Sequence, residues 1–118
     1  ANAIEPHKRP LSSMTPTLVF KDNQPILATG SPGGSTIITV VLQTVLNVLD
    51  FDMNIAEAAA APRIHHQWLP DYIRAEAGIN TDSTKLLEAM GHTVKISRPL
   101  GRTQTIGMQN GIIVGANR

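Results

Sequence analysis

Gly30-Ser31-Pro32-Gly33-Gly34-Ser35 is the stretch that decides how this chain folds. A strand-like segment, 25–29, leads into it, and the apolar segment 36–49 leaves it as a long helix. Glycine adopts positive φ and lets other groups approach the backbone closely. A helix start presents unpaired N–H groups at the positive end of the helix dipole. This order therefore favours a site for an anion or a developing negative charge, and a turn that needs glycine for steric reasons alone is the alternative.

The composition is that of a globular protein rather than a disordered one. The chain has 118 residues, of which 42% are hydrophobic and 16% are charged, and a chain of this length buries enough surface for a core. Aromatic residues make up only 3%, so aliphatic side chains and alanine have to fill that core. The net charge of +1 gives no electrostatic basis for binding nucleic acid or an anionic membrane. No linker divides the chain, and we expect one unit over residues 1–118.

Thiol, metal and membrane chemistry are not expected. The chain has no cysteine, which excludes disulfides, thiol nucleophiles and cysteine-ligated metals. His65 and His66 are adjacent and point to opposite faces of a strand, which is poor geometry for sharing a metal ion. We therefore expect neither a metal nor a cofactor. No signal-peptide pattern opens the sequence, and the segment 36–49 is too short to cross a bilayer.

The first half of the chain predicts a hairpin followed by a buried helix. Residues 17–21 and 25–29 are rich in strand-forming side chains and flank a short polar turn. The polar side chains of segment 36–49 fall on one narrow stripe, so we expect this helix to be almost completely buried. Ser31 or Ser35 is expected to cap its N-terminus.

Two shorter helices are predicted in the second half. Asn54 and Glu57 have the spacing of a capping box, which starts an alanine-rich helix that a proline stops at position 62. A third helix is expected to have Thr81 or Asp82 as its N-cap. Gly91 follows that helix and is the expected residue of left-handed conformation after its end.

The remaining segments read as strands, so the fold class is α+β with antiparallel strands and packed helices. Residues 92–97 alternate polar side chains with Val94 and Ile96, as in a strand with one buried face. Asn110-Gly111 is typical of a tight hairpin turn. The other predicted strands are 72–76, 103–108 and 112–116.

Ser12 and Ser13 form a second polar feature, because they stand between two prolines that stiffen the backbone. Hydroxyl groups in a stiff turn make local turn or capping bonds, which is the favoured interpretation from the residues alone. They also bind carboxylates, which is the alternative.

Three blocks of the sequence together resemble the γ-glutamyltranspeptidases, a family of the N-terminal-nucleophile hydrolase superfamily. The blocks are Lys8-Arg9-Pro10-Leu11-Ser12-Ser13-Met14-Thr15-Pro16-Thr17, Thr29-Gly30-Ser31-Pro32-Gly33-Gly34-Ser35 and Ala61-Pro62-Arg63-Ile64-His65-His66-Gln67-Trp68-Leu69-Pro70. The resemblance implies part of an αββα sandwich that two subunits of one self-cleaving precursor build together. It also implies an N-terminal threonine nucleophile that attacks the γ-glutamyl amide of glutathione or a similar donor. Water or an amino acid or peptide acceptor then resolves the acyl-enzyme.

The resemblance assigns roles to four residues. Ser12 and Ser13 match the family's paired serines, which would hydrogen-bond the carboxylate end of the glutamyl group. Gly33 and Gly34 match the oxyanion-hole glycines, whose N–H groups would stabilise the tetrahedral intermediate. This agrees with the interpretation of the glycine turn as a site for developing negative charge.

The sequence departs from the family pattern at its beginning, where the threonine nucleophile is missing. Position 1 is alanine, and no threonine occurs before Thr15. We therefore expect residues 1–118 to be the C-terminal portion of a small subunit and to be inert alone. The expected partners are the large subunit, the remainder of the small subunit and γ-glutamyl substrates, in a periplasmic or secreted setting. A stand-alone module that binds small carboxylates, or an inactive assembly domain, is the alternative.

Overall fold

The computed structural model describes residues 3–118, and its mixture of helices and largely antiparallel strands confirms the expected α+β class. One turn of 3-10 helix, Gly34–Thr36, precedes the first α-helix directly. The elements in chain order are β1 (Thr17–Lys21), β2 (Gln24–Gly30), α1 (Ile37–Leu49), α2 (Ile55–Ala60), β3 (Ile64–His65), β4 (Ile73–Glu76), α3 (Thr81–Ala89), β5 (Val94–Ser97), β6 (Gln104–Gln109) and β7 (Ile112–Asn117).

The larger sheet has four antiparallel strands in the order β1-β2-β6-β7. Both predicted hairpins are confirmed. Asp22 and Asn23 have positive φ in the first turn, and Asn110 and Gly111 have φ of 50° and 77° in the second. Two consecutive residues of positive φ twist a two-residue turn in the same sense as its strands. The strand order places β2 inside the sheet, and the C-terminal end of β2 leads into the glycine turn.

The smaller sheet has the order β3-β4-β5 and contains a parallel pair. β3 and β4 are antiparallel, whereas β4 and β5 are parallel. This is an exception to the antiparallel pairing we expected, because a parallel pair needs a crossover connection and α3 provides one. We expected Val94 and Ile96 of β5 to share a buried face. Val94 is half-buried, but the prediction is wrong for Ile96, which is 67% exposed.

Helices α1 and α2 pack against the larger sheet and enclose the core. α1 contacts β2, and α2 contacts β6 and β7. A Cβ added at Gly107 of β6 would overlap Cδ1 of Ile55 and lie 3.0 Å from its Cγ1. The missing side chain at position 107 therefore lets Ile55, which is 1% exposed, lie directly on the sheet. The buried apolar side chains are Leu27, Ile37, Val40, Val41, Ile55, Ala58, Ala59, Ile73, Ala75 and Leu100.

The expected near-complete burial of α1 is wrong. Ile38 and Leu42 are 53% and 52% exposed. The polar stripe contacts strand β3 of the same chain. Gln43 donates Nε2–H to the carbonyl of Ile64 at 2.8 Å, and its Oε1 accepts the N–H of Ile64 at 3.0 Å. Ile37, Val40 and Val41 lie in the core, so only the part of the apolar surface that carries Ile38 and Leu42 is left uncovered within residues 3–118.

The two shorter helices begin and end with side-chain and backbone caps. The capping box of α2 is confirmed, with Asn54 Oδ1 accepting the N–H of Glu57 at 2.9 Å and Glu57 Oε2 accepting that of Asn54 at 3.0 Å. The predicted cap of α3 is wrong, because Asn80 caps it, one residue before Thr81. The structure confirms Gly91 as the residue after its end, with φ of 96°.

None of the helices within residues 3–118 combines the length and the apolar character needed to span a membrane.

Adding a methyl group at Gly107 is expected to destabilise the protein, because it overpacks the contact with Ile55. Overpacking a core typically costs about 1–3 kcal/mol. Thermal unfolding of the purified protein is expected to show a lower midpoint for Gly107→Ala. Gly115→Ala is the matched control, because the nearest atom to its added Cβ is 3.9 Å away.

Shortening Ile55 to valine removes Cδ1, so the Gly107→Ala/Ile55→Val double variant is expected to lose less stability than the two single losses added together. Additive losses, or equal midpoints for Gly107→Ala and Gly115→Ala, would contradict the packing described here.

Candidate functional site

The glycine turn leads directly into the helix and places three N–H groups ahead of its first hydrogen bond. Gly33 and Gly34 have φ of 148° and 59°, a region that favours glycine. The first helical bond runs from the N–H of Thr36 to the carbonyl of Gly33 at 3.2 Å. The N–H groups of Gly33, Gly34 and Ser35 precede that bond, and the helix itself offers such groups no partner. The positive end of the helix dipole lies at the same place.

Neither serine expected to cap this helix does so. Ser31 Oγ accepts the N–H of Arg102 at 2.9 Å, and Ser35 Oγ donates to Gln67 Oε1 at 2.8 Å. The N-cap residue of the 3-10 turn is Gly33, and no side chain caps it. The prediction was wrong because both hydroxyls bind other parts of the chain, which sequence spacing does not reveal.

The structure brings the Ser12-Ser13 segment to the glycine turn. Ser13 Oγ donates to the carbonyl oxygen of Gly34 at 2.7 Å, across 21 positions of sequence. Ser12 Oγ makes a local bond by accepting the N–H of Met14 at 3.2 Å. One serine therefore makes the expected turn bond, and the other fixes the segment against Gly34.

The loop before β6, residues 98–103, packs against the glycine turn. Gly101 has φ of 70°, and a Cβ added there would overlap Ser31 Oγ and lie 3.0 Å from Cγ1 of Val40. The preceding residue, Leu100, donates its N–H to Glu76 Oε1 at 2.5 Å. The position of the turn thus depends on a loop that is itself held by a buried carboxylate.

Glu76 and Arg63 form a buried polar group that sequence reasoning missed. Glu76 Oε2 accepts the N–H of Arg63 at 3.1 Å and pairs with Nη2 of Arg118 at 2.6 Å. Arg63 is fully buried, and its Nη2 donates to Oγ1 of Thr103 at 3.2 Å. Burial lowers the pKa of Arg63, the charge of Arg118 lowers it further, and Glu76 opposes both effects. Arg63 belongs to the block 61–70 that resembles the family, but its role was not predicted because its partners Glu76 and Thr103 are distant in sequence.

A histidine joins α1 to the segment after β3. His65 Nδ1 lies 2.7 Å from Oγ1 of Thr39, and its Nε2 lies 2.9 Å from Oε1 of Gln67. His66 is exposed and pairs with Asp71 at 3.2 Å, so the structure confirms that the two histidines point to opposite sides. Within residues 3–118, no group of three or more His, Asp or Glu side chains is placed to hold a metal ion.

The layer of helices on an antiparallel sheet, with a glycine turn at a helix start, is part of the sandwich of an N-terminal-nucleophile hydrolase. Comparison of the sequence with known families gives the same class. The sequence model described as Gamma-glutamyltranspeptidase matches residues 1–117. The chain belongs to the γ-glutamyltranspeptidase family.

Individual relatives agree with this membership. The chain is 58% identical over 106 residues to the glutathione hydrolase proenzyme of Escherichia coli (strain K12), a match that covers 90% of this chain and 18% of the relative. It is 44% identical over 118 residues to the glutathione hydrolase proenzyme of Bacillus subtilis (strain 168), covering 98% and 20%. The chain therefore spans about a fifth of the length of these curated relatives.

A solved structure shows the same likeness in three dimensions. The crystal structure of an acivicin-inhibited gamma-glutamyltranspeptidase matches with a TM-score of 0.92 and 47% sequence identity. The match covers 98% of this chain and 64% of that chain. The fold described for residues 3–118 is thus the fold of this family.

Substituting Gly34 by alanine is expected to destabilise the turn through its backbone alone. Its φ is 59°, and no atom lies within 4 Å of an added Cβ, so the cost is the conformational one of about 1–2 kcal/mol for a side chain in the left-handed region. Gly30→Ala is the control, because its surroundings are equally open and its φ lies outside that region. Equal free energies of unfolding for the two variants would contradict the turn geometry.

Proposed function

We propose that this chain is part of a γ-glutamyltranspeptidase that cleaves the γ-glutamyl amide of glutathione and related donors. A threonine outside this chain forms the acyl-enzyme, and water or an amino acid or peptide acceptor resolves it. The observation that carries the proposal is the bond of Ser13 to the carbonyl of Gly34 at 2.7 Å. It fixes a hydroxyl pair beside a helix start, in a chain that belongs to this family.

Ser12 and Ser13 bind the carboxylate of the glutamyl group in this proposal. Ser12 Oγ accepts a bond from the N–H of Met14, so its own proton is free to be donated to a carboxylate. The single proton of Ser13 is directed to Gly34. Binding by Ser13 therefore requires its hydroxyl to rotate from the carbonyl of Gly34 to the ligand.

Gly33 and Gly34 form the oxyanion hole in this proposal. Their N–H groups precede the first bond of the helix, which Thr36 donates to Gly33, and the helix dipole adds positive potential. Such donors stabilise the negative oxygen of a tetrahedral intermediate, and removal of one typically costs about 3–4 kcal/mol of transition-state stabilisation.

The remainder of the protein is the proposed partner of this chain. Apolar side chains stay exposed on the outer face of the larger sheet, with Ile106 at 54% and Ile113 at 72%. Uncovered apolar surface of this kind marks an interface, which supports a large subunit and a longer small subunit that cover it.

Two further expectations belong to this proposal. Residues 1–118 are one portion of a larger folded unit, which the share of the relatives' length supports. The mature protein is periplasmic or secreted, which family membership supports. Fractionation of cells that express the full-length protein tests the location, and recovery in the cytoplasm alone would contradict it.

The purified chain is expected to release no p-nitroaniline from γ-glutamyl-p-nitroanilide, because it contains no processed threonine nucleophile. Calorimetry with glutamate and glutathione is expected to show no binding at micromolar strength, because other parts of the protein complete the pocket. Micromolar binding would instead favour a stand-alone carboxylate-binding module, for which the Ser12-Ser13 segment beside the glycine turn is the supporting feature.

Replacing both Ser12 and Ser13 by alanine in the full-length protein is expected to lower kcat/KM for γ-glutamyl-p-nitroanilide at least about 100-fold. Two hydrogen bonds to a charged group are lost, and each is worth about 1.5–3 kcal/mol. A donor whose α-carboxylate is converted to an amide is expected to lose much less between the parent and this variant.

The control for these serines is Ser83→Ala, because Ser83 is an exposed serine of α3. Full activity of the Ser12/Ser13 variant on the carboxylate donor would favour the reading of an assembly domain without a role in substrate binding.

A further inference from the structure

A small polar cavity lies beside the glycine turn and has no role in the proposal so far. Its volume is about 180 Å³, and it is lined by Ser35, His65, Gln67, Pro70, Tyr72 and Arg74. Pockets for drug-sized ligands measure about 300–1,000 Å³, so this cavity suits a small group. One of its lining residues, Ser35, directly follows Gly34 in the chain.

Arg74 is the cation of this cavity, and its charge is not compensated by its neighbours. Its backbone is fixed in the middle strand of the smaller sheet, where it pairs with His65 on one side and Lys95 on the other. Within residues 3–118, no carboxylate lies within salt-bridge distance of its guanidinium. Lys95 adds a second positive charge nearby, with Nζ 4.1 Å from the ring centre of Tyr72.

Three other polar side chains of the cavity, those of Ser35, His65 and Gln67, are hydrogen-bonded to one another. Gln67 Oε1 accepts from Ser35 Oγ at 2.8 Å and from His65 Nε2 at 2.9 Å. Gln67 Nε2 donates to the carbonyl of Leu69 at 3.0 Å. The guanidinium of Arg74, by contrast, takes part in none of the ion pairs found within residues 3–118, so its donors remain open to a ligand. The acidic residue nearest in sequence, Asp71, binds His66 instead.

We propose that this cavity binds the free C-terminal carboxylate of a dipeptide, with Arg74 as its counter-charge. The guanidinium presents paired donors that match the two oxygens of a carboxylate. This inference rests on the proposed function, because the carbonyl of the donor lies at Gly33 and Gly34. Ser35 lines the cavity and directly follows Gly34, and two residues span up to about 7 Å, so we place the C-terminus of a dipeptide joined to that carbonyl in this cavity.

Two molecules in the proposed reaction carry such a carboxylate, and the experiment distinguishes which of them the cavity binds. One is the leaving dipeptide of glutathione, and the other is an incoming dipeptide acceptor. In the full-length protein, the donor arm compares glutathione with glutathione whose C-terminus is an amide. The acceptor arm compares glycylglycine with glycylglycine amide, with γ-glutamyl-p-nitroanilide as the donor. Each arm yields the ratio of kcat/KM for the acid to kcat/KM for the amide.

The Arg74→Met variant is expected to lower this ratio by about tenfold, the change that loss of one charge-assisted hydrogen bond produces. Arg74→Lys keeps the charge without the paired donors and is expected to retain part of the ratio. The matched control is Arg98→Met, because Arg98 is an exposed arginine outside the cavity and its loss is expected to leave the ratio unchanged. A fall in the donor arm alone assigns the cavity to the leaving dipeptide, and a fall in the acceptor arm alone assigns it to the acceptor.

An unchanged ratio for Arg74→Met in both arms would overturn the inference. The same unchanged ratio is expected if an acidic side chain from the rest of the protein fills the cavity, because the Arg74→Met substitution then lowers kcat/KM equally for acid and amide substrates. In that case the parent protein still turns over γ-glutamyl-p-nitroanilide, and the proposed function stands. Absence of turnover by the parent protein would overturn both.

Discussion

The carboxylate of Glu76 is the constraint on which the arrangement of the site depends. It accepts the N–H groups of Arg63 and Leu100 and pairs with Arg118, so one buried group joins the smaller sheet to the end of β7 and to the loop before β6. That loop meets the glycine turn through the bond from the N–H of Arg102. A buried charge is tolerated only when it is paired and hydrogen-bonded, and Glu76 meets this requirement with contacts from three separate segments.

The site is also shaped by what this part of the chain leaves uncovered. Helix α1 buries Ile37, Val40 and Val41 in the core, and its polar stripe binds the segment of Ile64 and His65. Ile38 and Leu42 are nevertheless exposed. A helix of a globular protein normally presents polar side chains on the side away from its buried face. These exposed apolar side chains are explained if a second apolar surface covers them, which agrees with a chain that spans about a fifth of the length of its relatives.

Local features of the structure were predictable because neighbouring residues decide them. The hairpin at Asn110 and Gly111, the capping box of Asn54 and Glu57 and the end of α3 at Gly91 each depend on a few adjacent residues. The family was recognisable for a related reason, since it is carried by short blocks of adjacent residues. The burial of α1 was not predictable, because a stripe of polar residues does not reveal which neighbours will satisfy it.

The sequence by itself determined the elements, the positive-φ glycines of the turn and the family to which the chain belongs. Only the tertiary structure decided that Ser13 meets Gly34 and that Ser31 and Ser35 bind other partners instead of capping the helix. It also decided that Arg74 lines a cavity and has no counter-charge within residues 3–118. The physical reason is the difference in range. Backbone conformation and capping depend on residues a few positions apart, whereas hydrogen-bond partners and burial depend on segments that only the folded chain brings together.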